Sequence, residues 1–494
     1  MAVKFTAVHK NKKRKKSNQI KVKEDIISSL HDDYLVDILS LMSLDVAVAT
    51  SFFARQWRDL WTEVTAIHIN IKTSKGPFKY WNTFQEKILP KLTSPLIRRF
   101  GLDINCGALS TYASDQIDLW YQLISARWKI EEVKVKSNGF EGHISFPTIF
   151  KIPTLVVLEL SGDIDSFVIS VDEVNLPNLK KLSIQIDFTQ STQYLFIEKL
   201  DEYCPLLEEL SLKCCKVRGG GLLIPGHVPL SGKNLKRLSV QHSGYNPAKI
   251  IDIDAPRLEY LTLYSSIDLF RFVSTPIGLV EAHIGGNLHN GLMTSKLFDS
   301  ICNLRTLTLR RAMISETPTL FSDLTHLICT ISRSEADFNA VLGLLERCPV
   351  LEALILNITT TCRYEKVSEP AFMLTRVEKV WMKFGSSLLL NKDALNMMNY
   401  MLSSARVLKE LVLEVTGWSH TDFSDDDSDS DVSDGDVSEE EENLEVEACR
   451  EAFEWARCSF SRYQVDFLGK YLQIKLSGDE PKLIRTSKGR IICI

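Results

Sequence analysis

The sequence predicts an α/β fold: a short three-helix module at the N-terminus, followed by an irregular solenoid of strand-bearing repeats. Three observations predict it. The pattern L-x-x-L-x-L returns again and again between about residues 95 and 415, at intervals of 20 to 28 residues. Helix-like segments fill several of the intervals, as repeated supersecondary units require. Between residues 30 and 62 the apolar residues instead follow helical spacing. The chain has 494 residues, 45% hydrophobic and 24% charged, which suits a folded, elongated array.

Residues 1–23 hold nine Lys/Arg and no acid. The cluster 10-KNKKRKK-16 is dense enough for a nuclear import signal, read on Lys12, Lys13, Arg14, Lys15 and Lys16. Loose phosphate contact without sequence preference and a plain solvated tail are the other readings. A nuclear or nucleocytoplasmic location is the expectation. The start of the chain shows no apolar core of a secretory signal, and no apolar run approaches the ~20 residues of a membrane span. No membrane is expected among the partners.

The module follows over residues 24–62. In 30-LHDDYLVDILSLM-42, Leu35, Ile38, Leu39 and Met42 form one helical stripe, and Asp32 and Asp33 sit where the helix dipole favours carboxylates. Ser43 is placed to cap a second helix through Ala47, Val48 and Phe52. A third helix over roughly 54–62 brings Trp57 and Trp61 onto one face. Three short helices in so few residues cannot enclose all this apolar surface. The surplus is expected to meet the start of the solenoid, a partner protein, or both.

The repeats span 63–375. Clear copies are PTLVVLEL (153–160), PNLKKLSI (177–184), PLLEELSL (205–212), KNLKRLSV (233–240), PRLEYLTL (256–263), CNLRTLTL (302–309) and PVLEALIL (349–356). IGLVEAHI (277–284) and SDLTHLIC (322–329) are weaker; IEEVKV (130–135), VEKVWM (377–382) and LKELVL (408–413) are outlying. L-x-L alternation is a short strand with one buried face, and only stacked neighbours give that face a core. The period is that of leucine-rich repeats, and its irregularity predicts a curved, imperfect solenoid. The segments 195-LFIEKLDEYCP-205 and 339-NAVLGLLERCP-349 read as helices stopped by Cys-Pro. Residues between the leucines point to the concave face, which such arrays use for binding. The candidates for contact with an unknown protein substrate are Arg237, Tyr260, Thr262, Tyr264, His283 and Arg310. A solvated face that binds nothing is the bland reading of each.

Residues 376–494 make a separate C-terminal region interrupted by an acidic insertion over 420–447. Residues 421–447 hold fourteen Asp/Glu and no Lys/Arg, so they cannot pack and read as a disordered loop. Ser424, Ser428, Ser433 and Ser438 each have an acid three residues on, which suits acidophilic kinases. With both tails set aside the rest of the chain is near neutral, so nothing points to a specific nucleic-acid partner. The eleven cysteines are scattered and never spaced C-x-x-C, so they read as reduced thiols, with no metal site and no cofactor expected. No G-x-S-x-G, G-x-x-x-x-G-K-[ST] or H-E-x-x-H motif occurs, and no catalytic residue is assigned.

Residues 26–61, IISSLHDDYLVDILSLMSLDVAVATSFFARQWRDLW, resemble the F-box in the form found on plant leucine-rich-repeat proteins. Ala47-Val48-Ala49-Thr50-Ser51 and Trp57…Leu60-Trp61 are the specific parts. The family's two prolines are His31 and Ser43 here, and its usual Asp in the second helix is Val46. The stretch 394-ALNMMNYMLSSARVLKELVLEV-415 resembles, more loosely, the plant FBD region. The resemblance implies a non-catalytic receptor subunit of a Skp–cullin–F-box ubiquitin ligase. The module would dock on a Skp-type adaptor, and through it a cullin–RING ligase, by Leu30, Leu35, Ile38, Leu39, Val48, Trp57 and Trp61. The repeats would select the substrate. A repeat scaffold that recruits no ligase is the competing expectation.

Overall fold

The computed structural model describes residues 27, 29–72, 83–105, 111–138, 143–162, 166–168, 173–186, 191–214, 226–242, 249–264, 270–285, 291–310, 319–331, 341–358, 375–385, 407–416, 464–468, 471–475, 483–485 and 491–493. The basic cluster 10–16, the acidic insertion and the helical part of the FBD-like stretch lie outside them, as do Ser424, Ser428, Ser433 and Ser438.

Two α-helices open the described chain, α1 (Asp32–Leu39) and α2 (Leu44–Thr50). The strands then run β1 (Ala66–Lys72), β2 (Arg99–Asn105), β3 (Glu132–Asn138), β4 (His143–Ser145), β5 (Val157–Gly162), β6 (Ser166–Val168), β7 (Lys181–Ile186) and β8 (Glu209–Cys214). They continue as β9 (Gly226–Ser231), β10 (Arg237–His242), β11 (Lys249–Asp254), β12 (Tyr260–Tyr264), β13 (Phe270–Phe272), β14 (Glu281–Gly285), β15 (Thr306–Arg310) and β16 (His326–Ile331). The last are β17 (Ala353–Ile358), β18 (Lys379–Gly385), β19 (Glu410–Thr416), β20 (Gln464–Leu468), β21 (Tyr471–Lys475), β22 (Leu483–Arg485) and β23 (Ile491–Cys493). Among the described residues, further helices lie between strands, α3 (Thr111–Arg127), α4 (Ser191–Glu198), α5 (Leu200–Tyr203) and α6 (Gly291–Ser300), and residues 341–345 are also helical.

One sheet of 16 strands carries the architecture, ordered β1-β2-β3-β5-β7-β8-β10-β12-β14-β15-β16-β17-β18-β19-β21-β20. Every pair from β1 to β19 is parallel and each repeat pairs with the next, which is the solenoid that the leucine spacing predicts. The leucines explain the stacking. Leu155, Leu179, Leu207, Leu235, Leu258, Leu279, Leu304, Leu324 and Leu351 are all buried, one beneath each strand. The alternate strand positions, such as Leu238 and Val240 or Leu261 and Leu263, fill the same core. Burying each of them contributes on the order of 1.5–3 kcal/mol, and no repeat could bury them alone. At the foot of the repeat strands from β3 to β19 in the large sheet, two consecutive amides donate to one carbonyl of the preceding repeat. Lys236 and Arg237 share Glu208 O at 2.8 and 3.0 Å, and Glu352 and Ala353 share Thr325 O at 2.9 and 3.0 Å.

Three departures from the sequence reading are physical. The parallel ladder begins at β1, ahead of the first copy read at 130–135, and its AIHINIK alternation buries Ile67, Ile69 and Ile71; the outlying copies at 377–382 and 408–413 join the same ladder as β18 and β19. The segment read as one helix over 195–205 is broken at Lys199 into α4 and α5. A second parallel sheet, β13-β11-β9, also forms from segments between the strands of the first, where the sequence reading placed no strands. At the C-terminal edge the pattern reverses: β21 pairs antiparallel with β19, and β20 with β21, so the parallel ladder stops there. No helix among the described residues is long and apolar enough to cross a membrane.

Candidate interaction surfaces

The N-terminal module is built onto the end of the solenoid. His31 caps α1, its Nδ1 accepting from the Asp33 amide at 3.4 Å, so the residue at the place of the family's proline takes over the capping. Ser43 occupies the cap of α2, but through its backbone: its carbonyl accepts from Ala47 N at 2.9 Å and its side chain makes no capping bond. The third helix expected over 54–62 is instead a run of tight turns ending in a 3-10 helix, Leu60–Glu63. Trp57 N, Arg58 N and Thr62 N each donate three residues back. Three-residue winding aligns positions i and i+3, so Trp57 and Leu60 enter the core together, with Trp61 beside them. Ser40 ties the module to β1: its Oγ donates to Val36 O at 2.7 Å and accepts from Thr65 N at 3.0 Å.

This packing sorts the seven residues expected to meet an adaptor. Leu35, Leu39, Trp57 and Trp61 are buried in the core that continues into β1, and Ile38 and Val48 are half-buried against it. Leu30 alone is exposed. The apolar surface that the module does present is different. Phe52 and Phe53 are 87% and 81% exposed, Leu41 is 76% and Tyr34 63%. With Ile27, Leu30 and Val46, seven of the fifteen exposed large apolar side chains among the described residues fall between 27 and 53, a density that marks an interaction surface. The sequence reading carried the second helix through Phe52, but α2 ends at Thr50, so Phe52 and Phe53 lie beyond it, exposed, where helical spacing no longer sets direction.

The concave face is a grid of three rows read off the strand register. The first row holds Lys181, Glu209, Arg237, Tyr260 and Glu281; the second Ser183, Ser211, Ser239, Thr262, His283 and Thr308; the third Lys213, Gln241, Tyr264 and Gly285. Arg310 ends the third row on β15. All six expected substrate-binding residues therefore lie on this one face, on β10, β12, β14 and β15. Tyr260 and Tyr264 lean opposite ways. Arg237 Cζ stacks 4.1 Å from the centroid of the Tyr260 ring, whereas the Tyr264 ring lies over Gly285, where an added Cβ would come within 2.6 Å of it.

Charge on the N-terminal half of this face is paired within the face. Lys134 bonds Glu132 at 2.8 Å and reaches Glu159 at 3.4 Å; Lys181 bonds Glu159 at 2.7 Å. Arg237 meets Glu209 at 3.4 Å, and His283 meets Glu281 at 2.7 Å. Partial burial pulls the Glu159 carboxyl up, but bonds and fields from Lys181 and Lys134 outweigh it and hold the group below the usual carboxylate range. The Lys134 ammonium is held above its ordinary value, first by its bond to Glu132.

Little here suits chemistry. Burial pushes the thiols of Cys204 and Cys348 up to about 12, so neither is a thiolate nucleophile near neutral pH. No group of three or more His, Cys, Asp or Glu is placed to hold a metal among the described residues.

A parallel leucine-rich-repeat solenoid headed by a small helical module is a class of binding protein. Residues 89–416 match the family described as the At1g61320/AtMIF1 LRR domain, and the chain belongs to that family. Its relatives in Arabidopsis thaliana include the putative F-box/FBD/LRR-repeat protein At5g56810, 28% identical over 67% of this chain and 75% of that protein. The F-box/FBD/LRR-repeat protein At5g53840 is 26% identical over 79% of this chain and 88% of its own length. The FBD-associated F-box protein At4g10400 is 31% identical over 38% of this chain and 44% of its own. The family match and these relatives bear out the resemblance to plant F-box/leucine-rich-repeat proteins with an FBD-like C-terminal region.

Proposed function

We propose that this chain is the substrate-recognition subunit of a Skp–cullin–F-box ubiquitin ligase. The N-terminal module docks on a Skp-type adaptor, and the concave face of the repeats holds a protein substrate. Ubiquitin transfer belongs to the other subunits, and this chain supplies proximity and orientation. The observation that carries the reading is the concentration of exposed apolar side chains on the module, Phe52 and Phe53 above all. Exposed aromatics bring large area at low entropic cost and are the usual anchors of an interface. The relatives' names, with F-box and LRR in one chain, support the same reading.

The test is capture of the purified full chain by a Skp-type adaptor, beside Phe52→Ser with Phe53→Ser. Loss of both anchors is expected to weaken binding at least about tenfold, with an unchanged melting temperature. Trp57→Ala with Trp61→Ala is expected to lower binding only by loosening the module, visible as an earlier melting transition. A folded wild-type chain that the adaptor does not capture would leave the second reading, a repeat scaffold without ligase recruitment. One observation favours that reading: four of the seven expected contact residues are buried in the chain's own core.

A further inference from the structure

Six strands that neighbour one another in the large sheet, β7, β8, β10, β12, β14 and β15, form a block whose three rows differ in length and charge. The middle row is a floor of short side chains. It reads Ser183, Ser211, Ser239, Thr262, His283 and Thr308, five hydroxyls and one imidazole. The flanking rows carry mostly long side chains and stand four residues apart on each strand, about 13 Å at the backbone. Between upright walls that admits one extended chain and excludes a helix about 10–12 Å across. The two tyrosines leave the floor open, because each leans along its own wall. Tyr260 stacks on Arg237 in the first row, and Tyr264 lies over Gly285 in the third.

The floor has hydrogen-bonding capacity to spare. Ser183, Ser211, Ser239 and Thr262 are half-buried, and none of their hydroxyls bonds another described residue. Thr308, at the end of the row, is 6% exposed, and its Oγ1 has no hydrogen-bond partner. An unmet buried hydroxyl is costly, and a chain lying along the row supplies the partner it lacks. Hydroxyls both donate and accept, so each serves a backbone N–H or a backbone C=O, whichever comes opposite. That suits main-chain recognition, since strands about 4.8 Å apart and peptide residues about 3.4 Å apart do not keep step. The row spans five strand spacings, about 24 Å, or about seven residues of extended peptide.

The walls decide which side chains such a peptide carries. In the first row Lys181 and Arg237 stand beside Glu209 and Glu281, and these charges are engaged. Lys181 meets Glu159 at 2.7 Å, Arg237 meets Glu209 at 3.4 Å, and Glu281 meets His283 at 2.7 Å. Over the same strands the third row holds Lys213 and Arg310 and no acid. Arg310 is exposed and makes no ion pair or hydrogen bond among the described residues. Side chains of an extended chain point alternately to opposite sides, and its backbone N–H and C=O lie across that direction, toward the floor. Acids therefore belong at alternate positions, on the side of the third row. On the other side they would meet Glu209 and Glu281.

We infer that this trough, from β7 to β15, holds an extended segment of the substrate with acids at alternate positions. Its backbone lies on the hydroxyl row, and its acids face the third row, one of them on Arg310. The inference rests on the concave face being the substrate surface, and it names the substrate class.

The test is fluorescence anisotropy of the full chain, at physiological salt, with a labelled Ser-Glu-Ser-Glu-Ser-Glu-Ser-Glu peptide. The isomer Ser-Ser-Ser-Ser-Glu-Glu-Glu-Glu keeps the charge without the alternation and is expected to bind about fivefold more weakly or worse. Lys in place of every Glu is expected to cost about tenfold or more. Arg310→Glu is expected to weaken the alternating peptide about tenfold or more, and Ser211→Ala with Ser239→Ala about tenfold. Arg99→Glu, the same charge change at an exposed site on β2 outside the block, leaves affinity within about twofold. Equal melting temperatures check the fold of each variant. Equal affinity for the two isomers, or equal losses from Arg310→Glu and Arg99→Glu, overturns the inference. Adaptor capture on the same preparations separates the two failures. Capture without peptide binding sinks the trough alone, and failure of both sinks the ligase reading with it. Peptide binding without capture keeps the trough on a scaffold.

Discussion

At the scale of single residues, Gly162 shows how tightly the repeats are fitted. It ends β5 with φ +122°, and an added Cβ would lie 1.7 Å from Ser137 O on the neighbouring strand. Both the backbone angle and the space demand glycine. Gly162→Ala is expected to destabilise the chain by on the order of 2–3 kcal/mol in urea titration, from strain and forced strand separation together. Gly343→Ala is the control. Nothing lies within 4 Å of its added Cβ, and the position is helical, so a gain of up to about 1 kcal/mol is expected. Sequence showed which residues are core better than which are surface. Each leading leucine is buried as its position in the repeat demands. The adaptor residues were harder, because helical spacing names the face that packs, and in this module that face packs on its own solenoid. Phe52 was read into the second helix by its spacing, and only the turn after α2 shows that it and Phe53 point outward.

At the scale of elements, β3, β5 and β7 are pinned across the concave face by Lys134, Glu159 and Lys181. Glu159 is held below the usual carboxylate range in the fold, so its contribution is present above the unfolded carboxylate pKa and is lost as pH falls through the lowered value. Lys134 is held above its ordinary value, so its contribution is present below the unfolded lysine pKa and is lost only as pH rises beyond it. Both groups are partly solvated, and the gain is well under 1 kcal/mol for each pair. Melting temperature measured between about pH 3 and 7 is expected to fall more steeply for the wild type than for Glu159→Gln, which has no charge to lose. An identical slope in both proteins would show that these strands do not depend on the ladder. The strands themselves were legible wherever L-x-L alternated. The sheet of β9, β11 and β13 was not, since KIIDID and FRF are too short to separate strand from loop by pattern alone.

At the scale of the whole molecule, each repeat touches mainly its neighbours, so damage stays local. Leu261→Ala, at a fully buried site in β12, is expected to cost about 2–5 kcal/mol where it falls. Amide exchange is expected to quicken first over β10, β12 and β14, with β1 to β3 and β17 to β19 still protected. Uniform loss across all strands would show a single cooperative unit instead. The order of repeats, and so the fold class, was readable from spacing because the same unit recurs. Where along the array the open binding capacity lies was not readable. That depends on which cross-strand partners exist, and register decides it.

The second sheet has a geometric consequence. A stack backed by helices is spaced wider outside than inside, because a helix is about 10 Å across and a strand spacing only about 4.8 Å. That mismatch closes an arc. Between β9 and β13 the backing is itself strand, paired in register with Asp252 set against both Pro229 and Arg271. Inner and outer spacings are then equal, and the arc has no reason to bend there. Asp252 reinforces this sheet from within, accepting from Nε and one Nη of Arg271 at 2.8 and 2.9 Å and meeting His227 Nδ1 at 2.9 Å. Between β9 and β13 the backing therefore keeps the spacing of the concave strands it connects.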